Sequence, residues 1–382
     1  MSGPMRIAFY APMKPPDHPV PSGDRRMARL LIAALGRADH EVELASRLRS
    51  RDEAGSPERQ ARLRHVGSGL ARRLLRRYHA RPPGQRPRAW LTYHLYYKAP
   101  DWIGPAVCEA LEIPYLIAEA SVAGKRAGGP WDLGHRATLA ALERAAAVIA
   151  LNPVDVEGLP KPSRVRSLKP FLDPVPYRVA AEARAGHRKT IADRFGLETN
   201  ACWLAAVAMM RPGDKLASYR LLAKALKPLQ HLAWHLIVVG AGSACGEVER
   251  AFAWARPGQI RFAGEIRDED LPGLYAACDL LAWPAINEAY GMALLEAQAS
   301  GLPVVAGASG GVPGIVGDGE TGILTPPGDT AAFTAALDRL VCDPALRRAM
   351  ARRARRKVEA EHGIDGAADR LDRILREAAG LA

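Results

Sequence analysis

Two glutamates, Glu288 and Glu296, flank a glycine where an apolar run gives way to a helical pattern. The apolar run has strand length and ends at Trp283, and helix-forming residues begin near Gly291. In an open parallel sheet, ligands bind beyond the carboxyl ends of the strands, so we expect Glu288 to face such a crevice. Glu296 lies about a turn and a half into the helix, where a carboxylate can accept from both hydroxyls of a ribose.

The start of this helix is suited to an anion. The first amides of a helix have no partner within it, so those of Met292 and Ala293 would point at a negative group, and Gly291 would let that group approach closely. We include Asn287 and Tyr290, which lie on the preceding loop, among the candidate binding residues. The alternative is that both glutamates only favour the helix dipole or meet solvent.

A second glycine turn follows another predicted strand, His235–Val239. Gly240 and Gly242 close this strand at a usual place for nucleotide contact. The Gly-x-Gly-x-x-Gly fingerprint of dinucleotide-binding enzymes needs a glycine where this chain has Cys245. A dehydrogenase function therefore loses its main support.

Positioning these residues requires a sheet whose strands end at one edge, and the sequence predicts two such sheets. Strand-length apolar runs alternate with helical patterns from Arg6 to Leu151 and again from Leu204 to Val305, which is typical of doubly wound α/β units. Proline-rich segments at 161–163 and 169–177 predict an extended linker between the units. We therefore expect one domain over 1–170, a second over 171–363, and a tail helix, 364–382, that packs back on the first domain. In the second unit we predict helices over Ala217–Leu226 and Gly291–Ser300 and a strand over Gln259–Phe262.

The chain carries 53 Lys and Arg against 41 Asp and Glu, a formal net charge of +12. Much of the excess lies in segment 58–88, where Leu70, Leu74 and Tyr78 share one face of an arginine-rich helical pattern. This helix could lie on an anionic membrane, or its apolar face could pack on its own domain. Nucleic-acid binding is disfavoured because the basic segment lacks interleaved aromatic residues.

The five cysteines are scattered, and the ten histidines show no metal-binding spacing. We therefore expect no metal and no cofactor. No run of about eighteen uncharged apolar residues occurs, and the first residues do not read as a signal peptide. The expected location is the cytoplasm, with peripheral contact at the inner face of the membrane as an option.

The segment Asp279–Pro327 resembles the donor-site signature of glycosyltransferase family four, a retaining family with the GT-B fold. The resemblance rests on the glutamate pair, the Gly-Leu-Pro-Val-Val strand at 301–305 and the Gly-Gly-Val-Pro turn at 310–313. It implies two Rossmann-like domains with a donor cleft between them, a hexosyltransferase-like activity, and a nucleoside diphosphate sugar as substrate, with UDP favoured.

The resemblance also assigns roles to single residues. Arg211 and Lys215 match positions that hold the diphosphate, Gly23 matches a glycine loop over it, and Ile266 and Arg267 match the segment that reads the base. Charge-assisted bonds to phosphate explain the choice of Arg and Lys.

The chain departs from the family where many members carry a histidine near the reacting sugar. Glu119 stands at that position, and His94 ends the preceding predicted strand on the same side. We therefore count His94 and Glu119, together with Glu288, Arg211 and Lys215, as candidate catalytic residues.

The function implied is transfer of a sugar to an envelope glycan, a lipid-linked precursor or a small molecule, with retention of configuration. Two alternatives keep the fold. One is an epimerase acting on a nucleotide sugar, and the other is a non-catalytic nucleotide-sugar binder, which Glu119 in place of histidine motivates.

Overall fold

The computed structural model describes residues 3–20, 22–122, 124, 127–152, 156, 159–160 and 162–381. Pro21 of the predicted glycine loop and Lys161 of the predicted linker lie outside these residues. The chain forms two compact units: unit 1 is Met1–Lys169 with Ile364–Ala382, and unit 2 is Pro170–Gly363.

Unit 1 is built on a six-stranded parallel sheet in the order β2-β1-β3-β4-β5-β6. Strands β1 and β3 are neighbours whose onward connections run to opposite sides of the sheet, so the topological switch point lies between them. The strands are β1 Arg6–Tyr10, β2 Glu41–Ser46, β3 Ala89–Leu95, β4 Tyr115–Ala120, β5 Ala147–Ala150 and β6 Val165–Ser167. The helices are α1 Gly23–Arg37, α2 Pro57–His79, α3 Gly104–Leu111, α4 Asp132–Arg144 and α14 Ile364–Ala378, which packs on α1.

Unit 2 repeats this plan with the strand order β12-β11-β10-β7-β8-β9, which puts its switch point between β7 and β10. The strands are β7 Cys202–Val207, β8 Trp234–Val239, β9 Ile260–Gly264, β10 Leu280–Trp283, β11 Val304–Gly307 and β12 Gly322–Thr325. The helices are α5 Val175–Glu182, α6 Arg184–Phe195, α7 Asp214–Leu226, α8 Cys245–Ala251, α9 Leu271–Ala277, α10 Met292–Ala299, α11 Val312–Ile315, α12 Thr330–Cys342 and α13 Pro344–Glu361.

The central strands are mainly apolar because helices cover both faces of each sheet. Ile7–Tyr10 in β1 and Leu280–Trp283 in β10 are all buried. Such strands show no alternation of polar and apolar residues, and their carboxyl ends are where the chain first meets solvent. Polar side chains can therefore meet a ligand at those ends of the strands.

The extended linker predicted for 169–177 is wrong in its second half. Helix α5 begins at Val175, with Pro174 as its N-cap and Pro176 in its first turn. Proline is tolerated there because the first amides of a helix have no partner within the helix. The extended part includes Leu172, whose amide donates to the carbonyl of His362 (3.0 Å).

The apolar face of α2 packs on its own unit. Leu74 and Tyr78 belong to the core of unit 1, and Leu70 is partly buried against it. This apolar face is therefore covered by unit 1, as the second of the two alternatives predicts, and contact of segment 58–88 with an anionic membrane stays a prediction. Among the helices that the structure describes, none is long and apolar enough to cross a membrane.

Candidate functional site

The switch point of unit 2 brings together the loop after β7 and the loop after β10. Lys215 is the second residue of α7, which begins three residues earlier than the sequence predicts, and Glu288 lies between β10 and α10. Lys215 Nζ lies 2.5 Å from Glu288 Oε2 in an ion pair that is largely shielded from solvent. Residues separated by 73 positions in sequence thus meet at the edge where a doubly wound sheet binds ligands.

Trp283, the last residue of β10, holds both members of this pair. Its Nε1–H donates to Glu288 Oε2 (3.1 Å), and Lys215 Nζ lies 5.4 Å from the centre of its ring. The ring packs edge-on against Tyr219 of α7, with centroids 4.9 Å apart. The indole therefore fixes the carboxylate and favours the ammonium through its π face.

The loop that carries Glu288 has an unusual backbone. Ala285 and Asn287 have φ of 55° and 50°, a region that non-glycine residues seldom occupy. Two contacts with α7 hold the loop: Ile286 N donates to Ser218 Oγ, and Asn287 Nδ2 donates to Asp214 Oδ2, both at 3.0 Å. Strained residues held in this way cluster at functional sites.

The turn at Gly310 and Gly311 also fixes this loop. A Cβ on Gly310 would lie 2.0 Å from the carbonyl oxygen of Glu288, and one on Gly311 would lie 2.4 Å from that of Ala289. Gly311 N donates to the carbonyl of Ala289 (3.0 Å). Both positions require glycine, because the backbone of this turn lies in direct contact with the backbone of the loop that carries Glu288.

The start of α10 offers the predicted amides. Gly291 caps the helix with φ of 75°, and its carbonyl accepts from the amides of Leu294 and Leu295. Within the described part of the chain, no group accepts from the amides of Met292 or Ala293. These two donors are therefore available to an anion next to Glu288.

Glu296 is 3% exposed, and its Oε2 accepts from the hydroxyl of Tyr275 (3.1 Å) on α9. The carboxylate thus joins α10 to α9. The contact with a ribose stays a prediction, as does the role of Tyr290, which is half-buried at the end of the loop.

Arg211 is exposed on the loop between β7 and α7, and no acidic side chain among the described residues pairs with it. Gly240 and Gly242 are required by close approach, because a Cβ would lie 1.9 Å from the carbonyl oxygen of Ala208 and 2.2 Å from that of Met210. These glycines fasten the loop after β8 to the loop that carries Arg211.

The predicted base-binding segment follows β9. Ile266 is half-buried there, and Arg267 is exposed. Arg267 Nε donates to Asp270 Oδ2 (2.9 Å), and this bond with the nearby carboxylates raises the pKa of the guanidinium. Arg267 thus has a local partner on the surface.

The remaining candidates lie at the switch point of unit 1. Gly23 is the first residue of α1 and has open space around it. His94 and Glu119 sit one residue before the ends of β3 and β4, and His94 Nδ1 lies 3.8 Å from Glu119 Oε1. The structure brings these two residues together, and adds Asp24 of α1, whose Oδ1 is 2.9 Å from the same nitrogen.

Sequence reasoning missed several residues of these sites. Trp283 only marked the end of a predicted strand, and the sequence singled out neither Tyr275 nor Ser218. Asp24 read as part of a helix start. The signal that could have found Asp24 is its place directly after the first strand of a doubly wound unit. Among the described residues, no group of three or more His, Cys, Asp or Glu side chains has the arrangement of a metal site.

Comparisons of the sequence find relatives of part of this chain, and comparisons of the structure find proteins with the same fold. Residues 214–357 match the family model of glycosyl transferases group 1. A D-inositol 3-phosphate glycosyltransferase of Salinispora arenicola (strain CNS-205) is 34% identical over 207 residues, which are 51% of this chain and 46% of that protein. One from Corynebacterium jeikeium (strain K411) is 40% identical over 129 residues, 32% of this chain and 30% of the relative. The chain thus spans less than half the length of these curated relatives.

Solved structures cover the whole chain. Anabaena HepE in complex with UDP-glucose superposes with a TM-score of 0.72 at 17% identity, over 98% of this chain and 100% of that chain. Sucrose-phosphate synthase from Thermosynechococcus elongatus has a TM-score of 0.72 at 20% identity, over 99% and 100%. Two parallel six-stranded Rossmann-like sheets that match these proteins confirm the predicted GT-B fold. The segment that matches glycosyl transferases group 1 contains both Lys215 and Glu288, so this likeness covers the site in unit 2.

Proposed function

We propose that this chain is a retaining glycosyltransferase that takes a sugar from a UDP-sugar. The observation that carries the proposal is the Lys215–Glu288 pair beside the open amides of α10 at the switch point of unit 2. A cation and two helix-start amides suit a diphosphate, and the carboxylate suits the hydroxyls of a sugar. The complex of HepE with UDP-glucose, on the same fold, supports UDP as the nucleotide.

The chemistry follows from the charge that develops when the donor breaks. Departure of UDP from the anomeric carbon leaves an oxocarbenium-like sugar and adds negative charge to the leaving phosphate. Lys215, Arg211 and the amides of Met292 and Ala293 stabilise that charge, while Glu288 orients the sugar hydroxyls. The acceptor hydroxyl attacks from the face that the phosphate leaves and gives its proton to the departing phosphate oxygen, so the new bond keeps the configuration. In this scheme unit 1 holds the acceptor and unit 2 holds the donor.

Calorimetric titration with UDP, GDP and ADP tests the donor site. We expect selective binding of UDP, weakened about tenfold or more in Arg211→Ala because a charge-assisted bond is lost. Arg348→Ala is the matched control, because this exposed arginine lies on α13. No binding of any of the three nucleotides by the folded protein would refute the proposal.

Product analysis separates the reaction classes. The protein is incubated with UDP-glucose, UDP-galactose and UDP-N-acetylglucosamine, with and without acceptor sugars, inositol phosphates and lipid-linked sugars. A transferase releases UDP and forms a new glycoside when its acceptor is present. An epimerase interconverts UDP-sugars without acceptor, and a binder leaves all of them unchanged; either result would replace the proposed activity.

The acceptor proposed is an envelope glycan, a lipid-linked precursor or a small molecule at the cytoplasmic face of a membrane. The exposed face of α2 carries arginines, among them Arg72, Arg73 and Arg76, that suit an anionic surface without insertion. Co-sedimentation with phosphatidylcholine vesicles containing phosphatidylglycerol tests this. We expect salt-sensitive binding that Arg72→Glu with Arg73→Glu abolishes and Arg348→Glu does not; salt-insensitive binding, or none, would count against it.

A further inference from the structure

The switch point of unit 1 carries a second polar cluster, formed by Asp24, His94 and Glu119. Asp24 lies in the first turn of α1, which follows β1, and His94 lies near the end of the neighbouring strand β3. The register pairs Tyr93 with Ala118 and Leu95 with Ala120, so His94 and Glu119 lie side by side on adjacent strands. Three chain segments thus converge where a doubly wound sheet binds ligands.

The backbone at this point is strained. His94 and Glu119 have φ of 59° and 62°, in the left-handed region. Each such residue costs about 1 kcal/mol or more and persists only where its surroundings hold it. The same left-handed backbone conformation thus occurs near the ends of β3 and β4. Strained residues of this kind cluster at ligand-binding and catalytic sites.

The contact between His94 and Asp24 sets where the imidazole carries its proton. His94 Nδ1 lies 2.9 Å from Asp24 Oδ1. Burial acts to raise the pKa of Asp24, but the hydrogen bond and charge of His94, with the charges of Lys14 and Arg51, outweigh it and hold the pKa below its ordinary value. An ionised carboxylate only accepts hydrogen bonds, so Nδ1 of His94 must donate. In the neutral ring, Nε2 is then the accepting nitrogen.

We propose that Asp24 is a positioning residue that fixes His94 in the tautomer with the proton on Nδ1, so that Nε2 accepts a substrate hydroxyl. The identity of that substrate as a sugar donor or its acceptor rests on the proposed function. No bond is made or broken in this role, and the hydroxyl is oriented by its hydrogen bond. Asp24 acts through His94, in the same way that a carboxylate accepting from one ring nitrogen orients a metal-binding histidine.

Several charged or titratable groups face this imidazole. Glu119 Oε1 is 3.8 Å from Nδ1 on one side, and the rings of Tyr93 and Tyr96 lie 5.8 and 5.4 Å away by centroid. Lys14 and Arg51 act on Asp24 by their charge. Removing the charge of Asp24 leaves these two cations less balanced, so the charged form of His94 is disfavoured.

The test is an NMR titration of the ¹³C,¹⁵N-labelled full chain, with His94→Gln to assign the signal. In the wild type, the ¹⁵N shifts of the neutral ring should place the proton on Nδ1. In Asp24→Asn, the pKa of His94 should fall by about one unit or more. Ser22→Ala is the control: Ser22 Oγ caps the same helix by accepting from Arg25 N (3.2 Å), so its loss weakens α1 without touching the imidazole.

Either of two results overturns the proposal: a neutral wild-type ring with its proton on Nε2, or an Asp24→Asn protein whose His94 titrates as in the wild type. The tautomer measurement needs no variant, so it stands even if Asp24→Asn fails to fold. Calorimetry with UDP separates this proposal from the proposed function, because the charged groups proposed to bind the diphosphate, Arg211 and Lys215, belong to unit 2. A wild type that shows the Nδ1 proton but binds no UDP would refute the transferase function and leave the role of Asp24 intact.

Discussion

Lys215 is held between a carboxylate and an indole, and each partner restricts it in a different way. Glu288 Oε2 forms an ion pair with Lys215 Nζ at 2.5 Å, and the ring of Trp283 keeps the ammonium near the end of β10. A lysine placed so is ready to exchange part of its contact with Glu288 for a phosphate oxygen without a search through rotamers. The same exchange would release Glu288 to a sugar hydroxyl.

Replacing this lysine should weaken nucleotide binding. In Lys215→Met we expect the affinity for UDP to fall about tenfold or more, because a charge-assisted bond is lost and Glu288 is left without its cation. Calorimetric titration measures the effect. Lys224→Met is the matched control, since Lys224 is exposed on the same helix. Equal effects of the two substitutions would show that Lys215 acts only through net charge.

His40 makes unit 1 sensitive to pH. Its Nδ1 accepts from Met5 N (3.2 Å), and its Nε2 lies 3.0 Å from Asp372 Oδ1 on α14. Burial lowers the pKa of His40 below 6.5, although Asp372 acts to raise it. The folded state therefore takes up the proton at lower pH than the unfolded state.

The sign of this effect gives a prediction. Neutral His40 makes its full contribution to the stability of unit 1 above the pKa of 6.5 that histidine has in the unfolded chain. This contribution is lost as the pH falls from 6.5 towards the lower pKa of His40 in the folded state. The free energy of unfolding of unit 1, from urea denaturation followed by circular dichroism, should be lower at pH 5.5 than at pH 7.5. His40→Gln should reduce this dependence, and an unchanged slope in the variant would assign it to other groups.

At the scale of elements, the turn before α11 acts as a support for the loop after β10. Gly310 touches the carbonyl of Glu288, so the turn and the loop can only be placed together. Interior backbones packed this closely leave no room for even one methyl group.

Gly310→Ala tests this support against a matched control. Gly310 and Gly319 both have positive φ, 52° and 71°, but only Gly310 has a neighbour within reach of a Cβ. Gly319→Ala should cost about 1–2 kcal/mol from backbone strain alone and leave UDP affinity unchanged. Gly310→Ala should cost more and also lower that affinity, by moving Glu288. Differential scanning calorimetry and UDP titration measure the two quantities, and equal results for both variants would contradict the support role.

At the scale of the molecule, each unit has a core of its own, and the chain enters unit 1 twice. The last helix, α14, packs on α1, buries Leu371 completely and adds the ion pair of Arg37 with Asp365 (2.9 Å). The stability of unit 1 thus depends on residues more than 300 positions from its first strand.

Leu371→Ala should therefore act on one unit. Truncating this fully buried leucine should destabilise unit 1 by about 2–5 kcal/mol, through lost burial and the cavity left behind. Arg373→Ala, on the exposed side of the same helix, should change stability by less than about 0.5 kcal/mol. Calorimetric unfolding should show a lowered transition that UDP does not shift, beside one that UDP raises. Loss of stability in the UDP-sensitive transition alone would contradict the assignment of α14 to unit 1.

The sequence by itself determined the elements and the loop that carries the chemistry. Periodicity marked the strands of both units, and Gly291 with the apolar run ending at Trp283 marked the start of α10. These features are local, because they depend on strand and helix periods and on the needs of a helix end. The prediction of an extended linker was wrong for a local reason as well. Proline interrupts a helix interior but is tolerated in a first turn, and α5 begins with Pro176 in its first turn.

Only the tertiary structure decided which side chains meet. Lys215 reaches Glu288 because β7 and β10 are neighbours at a switch point, and Asp24 reaches His94 because β1 and β3 are. Strand order is set by the packing of whole helices on the sheets. The residues around Asp24 therefore do not show that β1 and β3 are neighbours. The basic helix α2 shows the same limit: its apolar stripe fits a membrane or a core equally well, and only the tertiary structure shows that Leu74 and Tyr78 are buried in unit 1.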